Sequence, residues 1–256
     1  MTPTKEAVLK ALGTVQEPDL GQDLVTLNMI RNLDVSGEKV SFTVMLTTPA
    51  CPLKGKIEAD CRKAINTIEG VKSIDIKMDS DVPNDGRMRG LVNTPIRNAI
   101  AIGSGKGGVG KSTVSVNVAV ALAKSGARVG LMDADIYGPS QHIMFGIRGE
   151  RPMMRDSGGK GMIVPIEKFG IQVMSIGLLI DEKQAVIWRG PMVSSAIRQF
   201  VSDVDWGELD YLVIDMPPGT GDIHLTIVQT VPVTGVIVVT TPQLVALADA
   251  KKGIAM

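Results

Sequence analysis

The densest chemistry in this chain lies in one run, Gly103-Ser104-Gly105-Lys106-Gly107-Gly108-Val109-Gly110-Lys111-Ser112-Thr113. From Gly105 to Ser112 it spells G-x-x-x-x-G-K-S, a phosphate-binding loop. Glycines let such a loop adopt positive φ and turn several N–H groups onto phosphate oxygens. A helix that follows presents its positive end to the same anion. Lys111 then supplies a mobile charge to the β- and γ-phosphates, and the Ser112 hydroxyl is a Mg²⁺ ligand. A nucleotide with Mg²⁺ is expected, with contacts along Gly105, Lys106, Gly107, Gly108, Val109, Gly110, Lys111, Ser112 and Thr113.

Carboxylates recur at two apolar strand ends, Leu131-Met132-Asp133-Ala134-Asp135 and Tyr211-Leu212-Val213-Ile214-Asp215. In doubly wound sheets such positions face the ligand crevice. An apolar strand closing on Asp, downstream of a phosphate loop, is the Walker B pattern and places Asp215 on the Mg²⁺ side. Met216-Pro217-Pro218-Gly219-Thr220-Gly221-Asp222 follows. Its residues Pro218, Gly219, Gly221 and Asp222 are expected to form a switch whose glycines let the backbone move when the γ-phosphate is lost.

These groups need elements to hold them. Residues 99–102 read as a short buried strand before the loop, and 112–124 as a helix with Val114, Val118 and Leu122 inward. Residues 128–132, 172–176 and 235–240 read as further strands, and a helix opens at Trp188-Arg189-Gly190 and runs to about residue 201. Residues 150–162, with Met153-Met154, read as an exposed loop. The expected fold class is α/β, a P-loop NTPase with a mostly parallel doubly wound sheet, over residues 97–256. Residues 83–96, rich in Asp, Gly, Asn and Pro, read as a linker.

Residues 1–82 read as a separate α+β domain of order α-β-β-α-β. Its helices are expected at 6–15 and 53–69, and its strands at 24–35, 40–46 and 74–78. Cys51, in Thr48-Pro49-Ala50-Cys51-Pro52, falls at a strand-to-helix junction, where a helix N-terminus favours thiolate. Cys61 falls on the apolar stripe Ile57-Cys61-Ile65 and is expected in the core.

Composition narrows the class. Formal net charge is +0 and aromatic residues are 3% of the chain, which argues against a basic nucleic-acid face or a base-stacking platform. No apolar run reaches the roughly 18 residues of a membrane span, so no membrane partner is expected. The first residues carry no apolar leader, and the two cysteines are expected as reduced thiols in the cytoplasm. His142 and His224 are isolated, no His/Cys pair has metal-ligand spacing, and both histidines are expected to be structural.

Lys106, directly after the first glycine of the loop, is a second cation that the chain's own nucleotide does not require. It resembles the deviant loop of the MinD/ParA/nitrogenase-iron-protein group, where this lysine reaches across a homodimer interface. A charge delivered in trans at the transferring phosphoryl group is worth on the order of 10³–10⁵ in rate. The same resemblance makes Lys106, Lys111 and Asp135 catalytic, with Asp135 orienting the attacking water and Asp133 near the Mg²⁺ shell.

Glu17-Pro18-Asp19 with Cys51 resembles the MIP18-type domain associated with iron–sulfur assembly. Taken with Asp-Ala-Asp-Ile-Tyr-Gly-Pro-Ser, Trp-Arg-Gly-Pro-Met and Ile-Asp-Met-Pro-Pro-Gly-Thr-Gly-Asp, nearly all of the chain is similar to the Mrp/ApbC family. That resemblance implies a homodimeric ATPase that uses ATP with Mg²⁺, carries a [4Fe–4S] cluster and passes it to apo-proteins. In that family a C-terminal Cys-x-x-Cys bridges the cluster. This chain has no cysteine after Cys61, so no iron–sulfur ligands are expected in it, and its sheet is expected to continue past residue 256. The alternative is a MinD/ParA-like positioning or partition switch, which shares the loop, Lys106, Asp135 and Asp215 but leaves the N-terminal domain without a purpose.

Overall fold

The computed structural model describes residues 3–83, 96–180, 190–219, 221, 224, 227, 231 and 233–255. The expected linker positions 84–95, the Trp188-Arg189 opening and Asp222 lie outside the described residues. The chain divides into two compact units, residues 1–83 and 84–256.

The first unit begins with α1 (Lys5–Leu12), capped by the Thr4 hydroxyl, which accepts from the Ala7 amide. A two-residue ladder, β1 (Gln16–Glu17) with β2 (Gln22–Asp23), precedes a three-stranded sheet of β3 (Ile30–Ser36), β4 (Lys39–Leu46) and β5 (Ser73–Ser80). β3 runs antiparallel and β5 parallel to the central β4, and the parallel crossover is made by α2 (Lys54–Ile65). Val8, Leu12, Ile57, Cys61 and Ile65 from the helices pack with Val40, Phe42, Val44 and Leu46 of β4 in one core. The long strand expected from residue 24 begins only at Ile30. The Asp23 carboxylate accepts from the Val25 and Thr26 amides, and Asn28 takes a left-handed φ of 56°, so a turn wins over residues 24–29. α2 likewise stops at Ile65 rather than 69.

In the second unit a six-stranded sheet has the order β10-β11-β7-β12-β6-β13. Its members are β6 (Ile96–Ser104), β7 (Val129–Asp133), β10 (Ile166–Lys168), β11 (Ile171–Ser175), β12 (Leu209–Pro218) and β13 (Gly235–Val238). All pairs are parallel except β10 with β11. Strand alternation sends Ala101, Met132, Met174 and Ile214 into one core, which also holds Val193, Ile197 and Phe200 of α5 (Gly190–Ser202). The neighbouring residues Ile102, Leu131, Val173 and Val213 enter the other core, with Ala119 of α3 (Lys111–Lys124). Both faces are covered, as an inner parallel sheet requires. Helices α4 (Gln141–Met144) and α6 (Leu244–Ala255) also belong to the unit.

The stretch 150–162, expected as a loop, contains most of a hairpin: β8 (Met153–Ser157) pairs with β9 (Lys160–Val164). Gly158 and Gly159 both take positive φ at its tip, the geometry that suits a two-residue turn to strand twist. Met153 and Met154 stay exposed.

Candidate functional site

The phosphate loop joins β6 to α3, and its glycines are needed for different reasons. Gly108 and Gly110 sit at φ 78° and 92°, where a side chain would be strained. Gly105 has no positive φ. A Cβ there would lie 2.7 Å from the Asp249 backbone carbon and 2.8 Å from the Ala250 nitrogen, because α6 passes directly against the loop.

Three expected residues meet at the C-terminal edge of the sheet. Lys111 Nζ donates to Asp215 Oδ1 at 2.7 Å, approaches Ser112 Oγ at 3.2 Å and lies 3.6 Å from Asp135 Oδ2. Asp215 is completely buried. Two further donors brace it: Ser115 Oγ to Oδ1 at 2.8 Å and Gln141 Nε2 to Oδ2 at 2.7 Å. Neither brace was expected from sequence. The only signal for Ser115 was a polar residue one helical turn after Lys111 on a buried face, and Gln141 carried none.

Asp133, expected near the metal shell, is itself held by four donors. Its oxygens accept from the Asp135, Ser140 and Gln141 amides and from Ser175 Oγ at 2.9–3.2 Å, so it holds the turn of residues 133–141. Burial, augmented by the nearby Asp215 charge, raises its pKa to about 7 against the pull of those donors. Asp135 accepts from the Gly138 amide at 3.2 Å. Burial holds its carboxyl above the ordinary range, opposed mainly by the Lys111 charge.

Beyond Asp215 the β12–β6 register slips, from Asp215 opposite Ile102 to Pro218 opposite Ser104. Pro217 and Pro218 cannot donate to a ladder, and a bulge at this point re-aims the chain. The Gly219 amide then donates to the Ser104 carbonyl at 2.8 Å, so the expected switch segment is tied to the start of the phosphate loop.

Lys106 is half-buried and makes no hydrogen bond or ion pair among the described residues. A hydroxyl and a carboxylate flank the ammonium of Lys111, so the Ser112–Asp215 pair already accommodates a cation. Hard oxygen donors of this kind suit Mg²⁺, which binds through one or two protein groups plus phosphates and water. Among the described residues, no group of three or more His, Cys, Asp or Glu is placed to hold a metal ion. No described helix is long and apolar enough to cross a membrane.

In the first unit Cys51 is half-buried against the core, in the turn before α2, and its carbonyl accepts from the Lys54 amide at 3.3 Å. Cys61 is fully buried, and burial, with the charges of Asp60 and Glu58 adding, pushes its thiol up to about 12.

Residues 95–256 match the family described as NUBPL iron-transfer P-loop NTPase, and residues 5–76 match the iron–sulfur cluster assembly protein family. An iron–sulfur cluster carrier protein of Synechocystis sp. is 51% identical over 254 residues, covering 99% of this chain and 72% of that protein. Its namesake in Deinococcus radiodurans is 48% identical over 255 residues, covering 98% and 70%. Among solved structures, the nucleotide-binding protein from Archaeoglobus fulgidus in complex with ADP superimposes with a TM-score of 0.53. It is 40% identical and covers 66% of this chain and 62% of that one.

Proposed function

Because this chain belongs to the NUBPL iron-transfer P-loop NTPase family, we propose that it is an ATP-hydrolysing iron–sulfur cluster carrier. It binds ATP with Mg²⁺, works as a homodimer in the cytoplasm and passes a [4Fe–4S] cluster, its cargo, to apo-proteins. The observation that carries the nucleotide chemistry is the convergence of Lys111, Asp135 and Asp215 within 3.6 Å contacts beside the phosphate loop. The carrier role is supported by relatives of that name at 51% and 48% identity over nearly the whole chain.

In this reading Lys111 leaves Asp215 for the β- and γ-phosphates when nucleotide arrives. Ser112 and Asp215 would hold Mg²⁺, with Asp133 near its shell in the turn that it braces. The metal supplies charge neutralisation at the transferring phosphoryl group. Asp135 accepts from the attacking water, and Lys106 acts on the nucleotide of the second copy. Pro218, Gly219, Gly221 and Asp222 respond to loss of the γ-phosphate. Cys51 serves the cargo as a thiol in the assembly-type unit.

Phosphate release from ATP in the presence of Mg²⁺ tests the hydrolytic half. Asp135→Ala is expected to abolish release while ATP still binds, because Asp135 acts on water. Loss of ATP binding in that variant would contradict its assigned role, and no release by the wild-type chain would contradict hydrolysis itself.

A further inference from the structure

Gln141, the first residue of α4, is completely buried, and its side chain links Ser112 to Asp215. Nε2 donates to Asp215 Oδ2 at 2.7 Å and to the Ser112 carbonyl oxygen at 3.3 Å. Both partners only accept, so the nitrogen of the amide faces them and the oxygen does not. The Gln141 backbone is fixed in turn, its N–H donating to Asp133 Oδ2 at 3.0 Å. The other end of the amide gains nothing: Oε1 is buried without a hydrogen-bond partner among the described residues. A buried acceptor left unpaired costs stability that an apolar side chain of similar size does not. Packing alone therefore does not account for a glutamine here, and the bonds made by Nε2 do.

The two oxygens of Asp215 are held by different donors. Oδ1 accepts from Lys111 Nζ at 2.7 Å and from Ser115 Oγ at 2.8 Å, whereas Oδ2 accepts from Gln141. Lys111 Nζ also lies 3.2 Å from Ser112 Oγ, so the cation that this carboxylate already meets sits on its Oδ1 side, beside the hydroxyl. In the exchange proposed above Lys111 leaves Oδ1 for phosphate, and Oδ2 stays taken. A carboxylate with one oxygen reserved offers a divalent ion a single contact. That restriction separates ions. Ca²⁺ is larger, gathers more oxygens and accepts both oxygens of one carboxylate, while Mg²⁺ demands a near-octahedral shell.

We propose that Gln141 sets the preference of this site for Mg²⁺ over Ca²⁺, by holding Asp215 Oδ2 so that only Oδ1 is free to meet the ion. This rests on the reading above in which the chain binds ATP with Mg²⁺. Gln141 touches neither ion nor nucleotide in this role. It is a positioning residue that acts through Asp215.

Gln141→Met keeps the volume of the side chain and removes the donor. Titration of Mg²⁺ and of Ca²⁺ at a fixed concentration of a fluorescent ATP analogue gives the half-saturating concentration of each ion, and the ratio of the two is the readout. The variant is expected to weaken Mg²⁺ by about tenfold, the scale on which losing a partner of a metal ligand acts, and to leave Ca²⁺ near its wild-type value. Ser115→Ala removes a donor from Oδ1 and leaves Oδ2 held, so its ratio is expected to match the wild type. A wild-type ratio in Gln141→Met, or a shift in Ser115→Ala as large as that in Gln141→Met, would overturn the proposal. The unaltered chain supplies a second test, which stands even if Gln141→Met does not fold. The side-chain amide hydrogens of Gln141, assigned by NMR through its backbone, are expected to exchange slowly with solvent and to stay slow when ADP and Mg²⁺ bind. Fast exchange in the bound state would mean that Oδ2 is released, and would overturn the proposal. If nucleotide binding by the wild-type chain responds to neither ion, the Mg²⁺ reading falls and this proposal with it, a result the titration tells apart from an unchanged ratio.

Discussion

Lys111 and Asp215 stand 104 residues apart in the chain and 2.7 Å apart in the fold, as a buried ion pair at the edge of the central sheet. The same lysine is the one that the proposed function assigns to the nucleotide phosphates. Under the proposed function nucleotide would compete with Asp215 for Lys111, and the same exchange would free Asp215 as a metal ligand.

Breaking this pair from one side has two consequences. Lys111→Met is expected to abolish phosphate release and also to destabilise the nucleotide-free protein by about 3–5 kcal/mol, since Asp215 stays buried without its cation. Adding Asp215→Asn should restore much of that stability and none of the turnover. Thermal denaturation alongside a phosphate assay reads both. An unchanged melting temperature in Lys111→Met would show that the pair carries no stability.

Lys106 gives a different signature, because it has no bond to its own site among the described residues. Lys106→Ala is expected to lower turnover on the order of 10³-fold or more while the single chain keeps its ATP affinity. Wild-type turnover per chain should rise with protein concentration, and that dependence should vanish in the variant. Turnover independent of concentration in the wild type would contradict action on a second copy.

Gly105→Ala tests the close passage of α6. The added Cβ meets backbone atoms of Asp249 and Ala250 at 2.7–2.8 Å, so loop or helix must shift. A cost of about 1–3 kcal/mol is expected from such overpacking, together with weaker ATP binding. Calorimetric unfolding and nucleotide titration measure the two effects. Wild-type values for both would mean that α6 yields freely.

The two thiols should respond differently to alkylation. With its pKa raised to about 12, Cys61 remains protonated in the fold at pH 8–9 and should resist iodoacetamide until the unit unfolds, whereas half-buried Cys51 should be modified first. The sign for stability follows. The folded pKa lies above the unfolded value of 9.0, so the Cys61 contribution is fully present below pH 9 and is lost as pH rises from about 9 toward 12. Mass mapping after alkylation checks the first claim, and denaturant titrations of wild type against Cys61→Ala across that range check the second.

The phosphate loop, Asp135 and Asp215 were legible in the sequence because each rule behind them is local. A loop that cradles phosphate needs glycines at fixed steps, and a strand end that faces a crevice shows as an apolar run closing on Asp. Ser115 and Gln141 were not legible, since a brace on Asp215 depends on which elements fold beside it. Asp133 and Asp135 look alike in sequence, yet one holds the turn and the other faces Lys111, a difference set by where Ser140, Gln141 and Ser175 fall. The β8–β9 hairpin was hidden by polar residues on its strands, although Gly158-Gly159 marked its tip. Residues 24–29 looked extended from their apolar content, but Asp23 and Asn28 impose a turn that pattern alone undervalues.

The central claim is that hydrolysis at this site serves cluster delivery. The most direct measurement loads the natively expressed gene product with iron and sulfide under anaerobic conditions and follows cluster appearance in an apo [4Fe–4S] acceptor, with and without ATP and Mg²⁺. The account predicts a broad visible absorption on loading and a transfer that ATP changes in the wild type and not in Asp135→Ala. Absence of iron after loading, or transfer indifferent to ATP and to Asp135, would contradict it.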